Sequence, residues 1–105
     1  MADNYCVSFR IANKTVNGRS YEDRYKELVN AMHEGLGYWE DTTSFFLVES
    51  SLNTPAIAKK GAGALSAVDD MLFVFDPKDM SACYFGNVAH LDVLKSFFPK
   101  LQKVT

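Results

Sequence analysis

Five of the eleven basic residues, Arg10, Lys14, Arg19, Arg24 and Lys26, fall between positions 10 and 26. Guanidinium and ammonium groups gathered in this way can neutralise phosphates, which makes the stretch a candidate anion or nucleic-acid contact. Glu22, Asp23 and Glu27 are interleaved with them, and the same pattern also describes a solvated loop and helix face. Lys59, Lys60, Gly61, Ala62 and Gly63 invite a phosphate-loop reading. Their order does not match G-x-x-x-x-G-K-[ST] and no strand immediately precedes them, so a kinked helical segment is the simpler account.

The acidic residues Asp69, Asp70, Asp76 and Asp79 flank an apolar run without the D-x-[DN]-x-[DN]-G spacing of a calcium loop, and read as turn and cap residues. His33 and His90 have no histidine or cysteine at ligand spacing, and Cys6 and Cys83 form neither a C-x-x-C pair nor a Cys/His set. Ser8, Ser44 and Ser81 lack a G-x-S-x-G context. Tyr38 and Trp39 could stack on bases, although aromatic strand residues more commonly serve the core or an interface. No catalytic residue, bound metal or cofactor is assigned from these patterns.

The elements that would position these groups follow from periodicity. Tyr5, Val7, Phe9 and Ile11 alternate with Cys6, Ser8 and Arg10, which predicts a half-buried strand over 5–11. Ser20 and Asp23 have capping-box spacing, and Tyr21, Tyr25, Leu28, Val29 and Met32 recur at helical intervals, with Arg24 on the outer face and Gly35 as a stop. Tyr38–Asp41 and Ser44–Ser50 read as a hairpin, the second arm a buried strand. Asn53 and Pro55 open a second helix with a stripe of Ile57, Ala58, Ala64, Leu65 and Val68, weakened by Gly61 and Gly63.

Met71–Phe75 is apolar on both faces and needs cover on each. Helices supply one cover, and a second subunit is expected to supply the other, with Met71, Phe73 and Phe75 as dimer-interface candidates. Ser81–Phe85 returns as a further strand. Asn87 is the expected N-cap of a last helix carrying Val88, Leu91, Leu94, Phe98 and Leu101, with Pro99 ending or bending it. The order predicts a single α+β domain over 1–105. It would be a ferredoxin-like plait, an antiparallel sheet with helices on one face, plus a C-terminal helix.

Three segments, Tyr-Cys-Val-Ser-Phe-Arg-Ile at 5–11, Gly-Tyr-Trp-Glu-Asp-Thr-Thr-Ser-Phe-Phe-Leu at 37–47 and Asp-Asp-Met-Leu-Phe-Val-Phe at 69–75, resemble the small bacterial SinR-like proteins. These are related in fold to the second CRISPR-associated adaptation protein. The resemblance implies a ferredoxin-like fold, and in its CRISPR-associated relatives the first strand ends in an aspartate proposed to bind the metal for phosphodiester cleavage at a dimer interface. Arg10 stands at that position here. A guanidinium repels Mg²⁺ but can grip phosphate, so the resemblance carries no nuclease site over.

A net charge of -2 and a pI of about 5.6 supply no global pull toward nucleic acid or an anionic membrane. No apolar run approaches the roughly 20 residues of a membrane helix, and the start has no basic-then-apolar signal pattern, so a cytoplasmic protein is expected. The reading is therefore a homodimeric, non-catalytic binding or interaction module. Two alternatives stand beside it. One is a metal-dependent endonuclease acting on RNA or DNA with a displaced carboxylate at Asp41, Asp70 or Asp76. The other is an inhibitor protein whose acidic surface occupies a partner's nucleic-acid groove.

Overall fold

A computed structural model of the chain describes residues 2–105. The elements run β1 (Asp3–Arg10), α1 (Tyr21–Met32), β2 (Tyr38–Thr42), β3 (Phe45–Ser50), α2 (Thr54–Ala62), β4 (Met71–Phe75), β5 (Ala82–Gly86), α3 (Leu91–Phe97) and β6 (Gln102–Lys103). They form an α+β structure around one mixed sheet in the order β2-β3-β1-β4-β5-β6. All neighbours are antiparallel except β5 and β6.

The alternation of β1 sends Tyr5, Val7 and Phe9 inward, where they meet Phe46 and Val48 of β3, Leu72 and Val74 of β4, and Leu28, Met32 and Ile57 from α1 and α2. Both helices therefore cover the same face of the sheet. Ser20 caps α1 through the Asp23 N–H while Asp23 accepts from the Ser20 N–H, the reciprocal arrangement its spacing predicts. Asn53 caps α2 by accepting from the Ala56 N–H, with Pro55 in the first turn.

The second helix departs from expectation. It stops at Ala62, so Ala64 and Leu65 are buried in the turn beyond it, and Val68 is 80% exposed rather than part of the stripe. Gly61 lies inside the helix because nothing larger fits. A Cβ there would stand 2.7 Å from the Met32 sulfur and 3.0 Å from a Leu72 methyl. The residue that weakens the isolated helix is the one that lets α2 approach α1 and the sheet.

The C-terminal region differs too. Asn87 is not the cap of α3; His90 occupies that place in a left-handed conformation with φ 55° and makes no capping bond. The helix is short, has no buried residue, and returns the chain to a two-residue strand, β6, that periodicity cannot register. Phe98, just after α3, lies on the second face of the sheet with its ring 5.0 Å from Phe73 and 4.9 Å from Phe75. The second cover expected from another subunit is thus partly supplied by the chain itself, and Phe73 is buried.

Gly86, at the end of β5, has φ +85°, and a Cβ on it would fall 2.2 Å from the Asp70 carbonyl oxygen. Glycine alone permits both the dihedral and the approach. Gly86→Ala is expected to lower unfolding stability by at least about 2 kcal/mol in urea titrations, from the backbone strain and the displacement of the Asp70 segment. A change within about 0.5 kcal/mol would show that the β5 end is not packed in this way.

Candidate functional site

Much of the basic stretch is engaged within the chain. Arg24 turns inward and is 1% exposed, because Asp70 lies behind it at 0% exposure. The Arg24 Nε donates to Asp70 Oδ2 at 3.0 Å and a terminal nitrogen reaches Oδ1 at 3.3 Å. The remaining N–H groups donate to the carbonyls of Ala12, Lys14 and Arg19 at 2.8 to 2.9 Å. Asp70 also accepts from the Ala12 and Ser66 backbone N–H groups. Every donor of the guanidinium is used, and the outer-face placement expected for Arg24 is overturned by the burial of this pair.

Three of the other four basic residues are paired or bonded within the chain. Arg19 bonds Glu27 and the Ala64 carbonyl. Lys14 pairs with Asp69 at 2.7 Å, and that contact together with the Ser66 hydroxyl holds the Asp69 carboxyl below its usual range. Arg10 lies on the far face and donates to the Asn87 carbonyl at 2.7 Å. Lys26 is exposed on α1 beside Tyr25. Lys59 and Lys60 stand in the last turn of α2, a helical segment and not a phosphate loop.

The carboxylates considered for a displaced metal site do not converge. Asp70 is fully engaged by Arg24 and two backbone donors, Asp76 accepts from the Lys78 N–H in its own turn, and Asp41 is exposed on β2. Among the described residues no group of three His, Cys, Asp or Glu side chains is placed to hold a metal ion. No helix is long and apolar enough to cross a membrane.

What the sheet does bring together is an apolar surface on the face opposite α1 and α2. Strand register aligns Trp39, Leu47, Cys6 and Phe75 in one row across β2, β3, β1 and β4. A second row runs Phe45, Ser8, Phe73 and Tyr84. Phe98 covers the β4 part of these rows, leaving Trp39 49% and Leu47 38% exposed. A depression of about 440 Å³ lies over this half, floored by Cys6, Leu47 and Trp39 and closed by Pro77 of the β4–β5 turn. Burial pushes the Cys6 thiol above its ordinary value, which disfavours the thiolate in this floor.

The sequence hides this face because Phe45–Val48 is apolar without a break, which reads as a strand buried on both sides. Phe46 and Val48 are buried, whereas Leu47 opens outward. Met71 and Phe75, proposed for an interface, remain half-buried at the margin of the open half. Asn4 and Glu49 close one end of it and Arg10 the other.

Because Arg24 is internal, Arg24→Met is expected to destabilise the fold by about 3–5 kcal/mol, leaving Asp70 buried without its partner. The double variant Arg24→Met with Asp70→Leu should lose less than Arg24→Met alone in the same urea titration. A loss below about 1 kcal/mol for the single variant would place the guanidinium in water and return it to the list of ligand-binding candidates.

No protein-family model, no curated protein and no solved structure matches the chain, so its function has to be argued from this geometry.

Proposed function

We propose that the chain is a non-catalytic binding domain and that a second copy of itself docks on the open half of its sheet, over Cys6, Phe45, Leu47 and Trp39. The observation that carries this reading is the apolar row with Trp39 and Leu47 left in water on a face that its own C-terminal segment covers only in part. Sheet edges offer no rival route. β2 carries Glu40 and Asp41 and an irregularity of register between Trp39 and Thr42, and β6 is two residues long and ends in lysine. Acidic side chains, bulges, lysines and short strands are the devices that keep edges from pairing.

A second copy suits the face better than a chain of one charge sign. Arg10 lies at one end of the open half and Glu49 at the other, so a two-fold axis crossing the strands sets the basic end of each copy over the acidic end of its partner. With strands about 4.8 Å apart and about 3.3 Å per residue, the three open strands by five residues project to roughly 240 Å² per copy. That is below the roughly 800 Å² per partner of standard specific interfaces, so the dimer proposed is a weak, transient one.

The fold belongs to the same proposal. Strands β2, β3, β1 and β4 lie side by side and antiparallel, with α1 and α2 together on one face. That order is in keeping with a ferredoxin-like plait to which β5, α3 and β6 are added. It supports, with the three segments quoted above, a relationship to the SinR-like proteins. Cys6 and Cys83 are free thiols on opposite faces of the sheet, in keeping with a reducing, cytoplasmic setting. Metal-dependent cleavage has no comparable support, since Asp70 and Asp76 are already engaged.

Sedimentation equilibrium tests this reading. The chain is expected to associate to a dimer at tens of micromolar, and Leu47→Lys, which sets a charge in the middle of the face, is expected to weaken association at least tenfold while the far-UV spectrum is kept. A monomer at every concentration up to a millimolar would remove the proposal.

A further inference from the structure

The helix-covered side carries a second feature that self-association does not use. Tyr25 of α1 and Tyr38 of β2 both donate their phenol protons to the carboxylate of Glu40, Tyr25 to both oxygens and Tyr38 to Oε1 at 3.1 Å. The three side chains, with Lys26, Val29 and Asn30, line a concavity of about 420 Å³ between α1 and the edge strand. Both rings are held from behind. Tyr25 packs on Phe9 and Tyr21, and Tyr38 stacks on His33 at 4.7 Å and leans on Phe46 at 5.4 Å. Burial pushes both phenols up, Tyr38 to about 12, and the Glu40 charge adds to the shift. Across neutral pH they are therefore fixed hydrogen-bond donors.

The carboxylate is incompletely used. An ionised carboxylate offers about four lone-pair sites, the two phenols donate only two protons to it, and Glu40 lines the concavity. Among the described residues the ion pairs are Lys14 with Asp69, Arg19 with Glu27 and Arg24 with Asp70, and Glu40 belongs to none of them. Lys26 lines the same space without pairing to it. A partly open carboxylate between preorganised aromatic walls attracts a cation twice, by charge and through the electron-rich ring faces. The apolar wall at Val29 suits an alkyl chain, and the Asn30 side-chain carbonyl can accept one N–H.

We propose that this concavity binds a protonated primary amine, the alkylammonium group shared by free alkylamines and lysine side chains, with Glu40 as its counter-ion and Tyr25 and Tyr38 as its walls.

The test is an amide NMR titration of the full chain. n-Butylammonium chloride is expected to shift the signals of Tyr25, Tyr38 and Glu40 in a saturable way, whereas n-butanol and matched sodium chloride leave them in place. Glu40→Gln keeps an acceptor for the phenols but removes the charge, and should weaken binding at least fivefold. Lys26→Gln, which removes a competing cation and disturbs no hydrogen bond in the site, should tighten it. A capped peptide with one lysine binding more tightly than n-butylammonium identifies a protein side chain as the source, and equal affinities identify a free amine. Shifts no larger than those from sodium chloride, or equal binding to Glu40→Gln and the unaltered chain, would overturn the proposal.

Discussion

The structure depends on a charge pair that has left water. Arg24 and Asp70 together join α1, the turn between β1 and α1, the segment after α2 and the entrance to β4. Desolvating two ions costs several kcal/mol each, and their attraction offsets this only where the remaining donors and acceptors are satisfied. Here all five guanidinium N–H groups are engaged, and the Asp70 carboxylate accepts two of them together with two backbone N–H groups. The pair therefore acts as an organiser of loops, giving three backbone carbonyls and two backbone amides partners in a region without regular structure.

That pair also removes Arg24 from the surface. By drawing Arg24 inside and tying Arg19 and Lys14 to Glu27 and Asp69, the fold spends the basic stretch on its own loops. One surface left open to another molecule is apolar: a sheet face shielded along β4 by Phe98 and open across β2, β3 and β1. The contrast between the saturated Arg24–Asp70 pair and the partly uncovered apolar sheet face is the physical basis for the proposal that the chain is a binding domain.

Most of the architecture was legible because the signals were local. Alternation in 5–11, the Ser20 and Asp23 cap and the Asn53 and Pro55 start depend on neighbours a few residues away, and each element forms close to its expected place. Local pattern is overridden where distant partners decide. Arg24 has the spacing of an outward helical residue until Asp70, 46 positions on, supplies a buried counter-ion. Asn87 has cap chemistry, but its N–H is engaged by the Asp70 carbonyl and the helix starts later. The sheet's exposed half was concealed because an unbroken apolar run cannot state which face will be covered, and Phe98, which covers part of it, is remote in sequence.

Trp39 is the single tryptophan of the chain and stands half-exposed in the open face, so its emission reports directly on whether that face is the working surface. Fluorescence spectra recorded over a dilution series from a millimolar to a micromolar should shift from blue to red as the apolar face is returned to water. An emission maximum that stays at the solvent-exposed wavelength throughout would contradict the account, because it would mean that nothing docks where the sheet has been left open.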